Sequence, residues 1–467
     1  MSINTQKIKI FYTISVFVVL AAFDNIVIGL FPPLFSSIAK DLKVHVSALG
    51  LISAMNILVT SLSSVYWGYL AGKGKRKRYI IIGTIVWAVS VYLISVCRNY
   101  LELFTLQIFT GIGLGCIASI GYSVLTDYIP HKSRGTLLSL WGMSQGFGGI
   151  AGALMASLIA PTTSWRTPFK IVSLIGFFLL FLYMFIRDPS MGESEPELKG
   201  LIGKGKEYNY RIERKQIYGI VSKSSNIWLL LEGFFMNITT GTLIWLPTLY
   251  SSKLQHIGFG TQTAIITSGY LFALFQTGGL TSSYFGHLGD VFQRKTYKGR
   301  AYLTALVVFI AIPAYTFMFI QPFNNLLLPD NNNPVSILLY LLKSIILNPS
   351  MTVMFVLAFF ASAGQSANTP NWLALITDVN LPEHRATVYS LANLIGGLGR
   401  TIGNVGVGFV LDIVSKSANE PNNYIITLII FQIFFIPASY CYIRMAKLNV
   451  SDIKKVNLTL RSRAKGK

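Results

Sequence analysis

Apolar runs of about twenty residues, repeated along most of the chain, constrain this sequence more than any other feature. A bilayer's hydrocarbon core is crossed by roughly 20 residues of helix at ~1.5 Å rise each. Twelve stretches qualify: 10–36, 46–71, 79–97, 101–128, 135–160, 168–187, 225–250, 261–287, 301–321, 351–377, 386–411 and 423–445. Backbone groups in such a stretch must be satisfied internally, so each is read as a helix. Only 12% of the 467 residues are charged, against 52% hydrophobic; soluble domains carry about 25% charged residues. So few charges cannot cover a water-exposed surface of this size. An ordinary cytosolic enzyme, a disordered chain and a fibrous protein are excluded, and an all-α, multi-pass membrane protein remains. The first run extends too far past Lys9 for a signal-peptide core, so no cleavable signal is expected.

Lys and Arg number 39 against 18 Asp and Glu. Most lie between the runs, at 73–78, 132–134, 187–223 and 294–300, and after Lys447. Placing both termini in the cytoplasm puts these clusters inside. The outer side then keeps only scattered cations such as Lys40, Arg98, Arg166 and Lys416. The expected localisation is the plasma membrane with both termini cytoplasmic. Loops of this kind lie on anionic lipid, and nucleic acid is not an expected partner. Cys97, Cys116 and Cys441 fall in apolar runs without a CxxC spacing, so neither disulfides nor a metal site are expected.

The polar stretch 188–224 reads as a cytoplasmic linker between an N-terminal six-helix bundle, 1–187, and a C-terminal one, 225–446. Residues 447–467 read as a basic cytoplasmic tail, and the insert 322–348 as a loop with a short surface helix at 335–346.

Two turns recur. Gly68-Tyr-Leu-Ala-Gly-Lys-Gly-Lys-Arg76 is answered by Gly286-His-Leu-Gly-Asp-Val-Phe-Gln-Arg294. Asp127 and Arg134 after span 4 are answered by Asp378 and Arg385 after span 10, with the same Thr, Ser and Leu following. This is a duplicated unit in parallel orientation. With these motifs the chain resembles the major facilitator superfamily. The resemblance implies two pseudo-symmetric six-helix bundles, with helices 1, 4, 7 and 10 lining a central cavity. It also implies a cytoplasmic gate drawn from Gly68, Arg76, Asp127, Arg134, Gly286, Asp290, Arg294, Asp378 and Arg385. The pairs expected in that gate are Asp127–Arg134, Asp378–Arg385 and Asp290–Arg294. Gly72 stands where the family's Asp is expected, so the latch is expected to be asymmetric. Span 1, with Asp24-Asn-Ile-Val-Ile-Gly-Leu-Phe-Pro-Pro-Leu, resembles the spinster-like lipid transporters, with Asn25 in place of their basic residue.

A charge in hydrocarbon costs about 2.5–3.5 kcal/mol and normally faces a cavity or a partner. Asp24, Glu232 and Arg400 are the three such charges. Asp24 fits a proton-carrying carboxylate or a fixed structural anion. Glu232 fits a second proton carrier or a residue reaching the inner surface. Arg400 fits an anion-binding residue or the counter-ion of Asp24, and the second is favoured because helix 11 does not usually line the family's cavity. Gln107 occupies the place where many proton-coupled members carry Arg. Asn237, Gln276, Gln365 and Asn368, with Trp245, Asn371 and Trp372, suit a neutral or amphipathic organic molecule better than a bare ion. Pro370 is expected to break its helix near Asn368. Glycines crowd span 5 (Gly142, Gly146, Gly148, Gly149, Gly152) and span 11 (Gly396, Gly397, Gly399, Gly403, Gly406, Gly408), where they allow either plain close packing or rocking surfaces between the halves. Span 5 resembles the family's antiporter motif, with Phe147 in place of its Pro.

The motifs GxSxG, HExxH and GxxxxGK[ST] do not occur, so no enzyme and no cofactor is expected, and energy must come from a gradient. The expected function is a secondary active transporter, symporter or antiporter, working as a monomer by alternating access. Its cargo is a small organic molecule, amphipathic or lipid-like, with protons as the coupling ion. A non-transporting sensor or scaffold with this fold remains the alternative, motivated by Gly72 and Gln107; a channel is a third.

Overall fold

The computed structural model describes residues 3–44, 46–71, 76–121, 124–125, 127, 134–186, 214–329 and 332–464. Its spans are α1 (Ile3–Leu30), α2 (Val46–Ala71), α3 (Arg76–Ile94), α4 (Tyr100–Cys116), α5 (Arg134–Leu158) and α6 (Arg166–Tyr183) in the first half. The second half has α7 (Ser224–Thr242), α8 (Thr261–Gln276, resuming as Ser282–Lys295), α9 (Gly299–Ile320), α10 (Pro349–Ser366, resuming as Asn368–Val379), α11 (Pro382–Val414) and α12 (Asn422–Phe431, resuming as Phe435–Ala464).

Local chemistry sets the ends of these helices. Pro32 and Pro33 follow α1 and turn it into a short helix, Phe35–Leu42. The Asn99 side chain caps α4 by accepting from the Glu102 N–H, and Glu102 accepts from the Arg98 N–H at 2.8 Å. The surface helix expected at 335–346 is present as Pro334–Leu347, capped by Asn333.

Among the described residues, ten helical stretches are long and apolar enough to cross a membrane. α5 and α8 pack on each other at the seam between the halves, where small residues let helices approach closely. Gly146 and Gly279 meet there so tightly that a Cβ on either would strike the other's backbone.

The packing repeats across the two halves. In the first, α1 lies on α5, α2 on α4, and α3 on α6; in the second, α7 lies on α11, α8 on α10, and α9 on α12. The halves meet where α2 packs on α11 and α5 on α8. The chain is thus two pseudo-symmetric six-helix bundles.

The basic residues from 447 onward continue α12 as far as Ala464. Ile453, Val456 and Leu460 bury one stripe of that extension, a spacing that gives a helix a single apolar face. Arg463 reaches Glu383 at 2.6 Å. Within the stretch read as a linker, 188–213 lies outside the described residues, and Arg214–Val221 is helical.

Candidate functional site

The break in α10 shapes the centre of the molecule. Pro370 has no N–H to give the Ser366 carbonyl four residues back, and the helix interrupts at Ala367, between Ser366 and Asn368. Asn368 is thereby set in the wall of a cavity between the two halves. On the opposite side of the seam α4 widens into a π turn, Ile117–Gly121, and Ala118 of that turn lines the same space.

Asp24 enters the cavity from α1, Asn56 from α2, Asn237 from α7, Gln365 and Asn368 from α10, and Arg400 from α11. Asp24 is 9% exposed, and its Oδ1 has no hydrogen-bond partner among the described residues. Arg400 lines the cavity and donates from Nε to Asn237 Oδ1 at 2.8 Å. It is not ion-paired with Asp24 among the described residues. The counter-ion assignment is corrected accordingly, since α11 presents Arg400 to the cavity and Asn237 takes up its Nε.

The other candidate residues fall in several places. Gln107 stands one layer behind the wall and receives Asn56 Nδ2 at 3.0 Å on its side-chain oxygen and at 2.7 Å on its backbone carbonyl. Gln365 lines the cavity and accepts the Tyr315 hydroxyl at 2.7 Å. Asn368 accepts the Tyr442 hydroxyl. Gln276 is not at the cavity: it packs against Gly149 at the α5–α8 seam. Glu232 neither reaches the surface nor lines the cavity. It is fully buried, and its polar neighbours are the Tyr442 hydroxyl and the Asn368 side chain. Trp372 lines the cavity and donates to the Leu229 carbonyl at 3.1 Å, whereas Trp245 donates to Asn404 at 3.0 Å outside it.

At the basic end of the bundle Asp290 and Asp378 are paired with an arginine other than the ones expected, and the expected Asp127–Arg134 pair lies outside the described residues. Asp127 pairs with Arg76 at 2.7 Å, both buried. Asp290 and Asp378 share Arg300, at 2.5 and 2.7 Å. Arg294 contacts the backbone carbonyl of Asp290 at 3.2 Å. Arg385 donates to the carbonyls of Thr377 and Asn380, at 3.2 and 3.3 Å, and so caps the end of α10. Arg76 opens α3 and Arg300 stands at the start of α9. Arg76 reaches from the start of α3 to Asp127 beyond the end of α4, and Arg300 reaches from the start of α9 to Asp290 near the end of α8 and to Asp378 near the end of α10. Gly68 and Gly286 are both buried, and Gly68 is pressed against Ser390 of α11. Gly72 and the Arg134 side chain lie outside the described residues.

Asn56, Tyr315, Tyr442 and Arg300 are the participants that sequence reading missed. Arg300 had a signal, because it follows a Lys-Gly pair at a helix start much as Arg76 follows Gly-Lys.

A family model for the Major Facilitator Superfamily matches residues 14–329. The niacin transporter NiaP of Acinetobacter baylyi is 25% identical over 49% of this chain and 56% of its own length. The riboflavin transporter RibZ of Clostridioides difficile is 22% identical over 42% and 43%. The spinster protein of Drosophila melanogaster is 23% identical over 34% of this chain and 27% of its own. The matched portion is thus about half or less of each relative's length. In fold, the chain is similar to a bacterial homolog of the human lysosomal transporter Spinster, in an inward-facing and occupied conformation. The TM-score is 0.63 at 17% identity, covering 97% of this chain and 99% of that one.

Proposed function

The chain belongs to the major facilitator superfamily of membrane transporters, and from that premise we propose that it is a secondary active transporter of a small organic, amphipathic molecule, driven by protons through alternating access. The observation that carries this reading is a buried carboxylate without a hydrogen bond at Oδ1, Asp24, in a cavity to which both halves contribute polar side chains. A proton on Asp24 cancels its charge and lowers the cost of closing the cavity around it. Amides and aromatics outnumber charges in the wall, which supports an organic cargo, as do relatives named as riboflavin and niacin transporters. The buried Arg76–Asp127 and Asp290–Arg300–Asp378 groups form the charge network of the cytoplasmic gate, with both termini cytoplasmic in a plasma membrane.

The test is Asp24→Asn in proteoliposomes. Gradient-driven uptake should be lost while counterflow exchange persists. Concentrative uptake that survives unchanged would remove Asp24 from coupling. Absence of any flux from the unaltered protein would favour a sensor or scaffold instead.

A further inference from the structure

The hydrogen bonds behind the cavity wall fix which atoms of its amides face inward. Asn56 spends its Nδ2 on the Gln107 backbone carbonyl, at 2.7 Å, and on Gln107 Oε1, at 3.0 Å. A backbone carbonyl can only accept, so the orientation of Asn56 is set and its Oδ1 is left as an acceptor. Asn237 gives its Nδ2 to the Gly233 carbonyl at 2.6 Å. Its Oδ1 must therefore take Arg400 Nε, at 2.8 Å, and the Nη fork of Arg400 remains for the cavity. Gln365 takes the Tyr315 hydroxyl on Oε1 at 2.7 Å, and in that orientation Nε2 is its remaining donor. Asp24 adds a carboxylate to the same cavity.

The outcome is a division by sign. The first half offers acceptors, Asp24 and Asn56, while the second half offers donors, Arg400 and Gln365, beside one acceptor, Asn393 Oδ1, whose Nδ2 goes to the Ala118 carbonyl at 3.4 Å. We propose that the cavity is a two-ended clamp for a molecule with a cationic or hydrogen-donating group at one end and an anionic or hydrogen-accepting group at the other. The donating end faces Asp24 and Asn56 Oδ1, and the accepting end faces Arg400 and Gln365 Nε2. This rests on the reading of the cavity as the cargo site and names the class of cargo. A molecule with both ends spans the seam between the halves and compensates both cavity-facing charges. A molecule with one charge leaves either the carboxylate or the guanidinium without a mate, so charge pattern rather than size sets selectivity. Gln107 and Tyr315 act here as positioning residues.

The test titrates the purified full-length protein with ω-aminocarboxylates from 4-aminobutanoate to 8-aminooctanoate, each beside the alkylamine and the alkanoate of equal chain length. Trp372, which lines the cavity, serves as the fluorescence reporter. At least one ω-aminocarboxylate should bind about tenfold or more tightly than both of its singly charged partners. Arg400→Gln should erase its advantage over the amine, and Asp24→Asn its advantage over the alkanoate. Gln107→Leu and Tyr315→Phe should lower the selectivity ratio, whereas a purely structural role would scale all affinities together. The clamp is wrong if no member of the series outbinds its partners, or if the ratio survives both charge substitutions. Preferential binding without flux in proteoliposomes would leave the clamp standing and remove the transporter reading. Flux with indifferent binding would do the reverse.

Discussion

Arg300 Nη1 lies 2.7 Å from Asp378 Oδ2, with the two side chains 4% and 6% exposed. The other arm of the same guanidinium holds Asp290 at 2.5 Å. Removing one member of a buried ion pair typically costs about 3–5 kcal/mol, because the remaining charge stays buried without compensation. Arg300→Met should therefore lower thermal stability severely. Arg294→Met, which gives up a backbone contact at 3.2 Å, should change it by no more than ~0.5 kcal/mol. Melting curves of the two purified variants decide the matter, and equal losses would return the gate to the arginine in the turn.

Gly68 permits a close crossing of α2 and α11 near the basic end. A Cβ there would run into the Ser390 side chain. Overpacking of this kind costs about 1–3 kcal/mol, paid only in conformations that keep this end shut. Gly68→Val should shift the population toward the open form by roughly tenfold. A cysteine placed at Asn393, in the cavity wall, should then react faster with a thiol reagent added from the basic side. Ser390→Gly in the same chain should restore the slower rate; if it does not, the crossing is not what holds that end closed.

The spans, the duplication and the break at Pro370 were legible because each rests on local chemistry: apolar length, repeated turns, a missing N–H. The partners of Asp290 and Asp378 were not. Aligning the turns as strings matched Arg76 with Arg294, but α8 runs on to Lys295, and the second-half counterpart at the helix start is Arg300. Amides were recognised without their roles. Gln107 and Gln276 both interrupt apolar runs, yet packing alone decides that one orients Asn56 and the other fills the α5–α8 seam. The tail's apolar stripe at Ile453, Val456 and Leu460 was visible, but its net charge dominated the reading.

Glu232 differs from Asp24 in what surrounds it. It is fully buried, and its polar neighbours, Tyr442 and Asn368, are bonded to each other. A polar group buried without a hydrogen bond costs about 1–3 kcal/mol by protein mutational measures. Glu232→Gln keeps the volume but leaves a buried amide in place of the carboxyl, so stability should change by less than that amount. Because Glu232 does not line the cavity, the KM for transport should stay within about twofold, a shift of under ~0.5 kcal/mol. Loss of gradient-driven uptake with counterflow intact would make Glu232 a proton carrier.

Asp41, on the short helix after α1, accepts Arg166 Nη1 at 2.8 Å and Trp165 Nε1 at 3.2 Å. The other arm of Arg166 reaches the Cys97 carbonyl at 2.8 Å, so one guanidinium ties that helix and the start of α6 to the α3–α4 turn. The hydrogen bond from Arg166 holds the Asp41 carboxyl below its ordinary value of 3.8. On acidification the unfolded chain takes up this proton first. The stabilisation is therefore complete above the ordinary value and fades as pH falls through the lowered one. Asp41 is 45% exposed as a side chain, and solvent screening keeps the effect under about 1 kcal/mol. Asp41→Asn should melt slightly below the unaltered protein at neutral pH, and the gap should close below pH ~4 and shrink in high salt. A gap that ignores both acid and salt would mean that the carboxylate contributes through its shape rather than its charge.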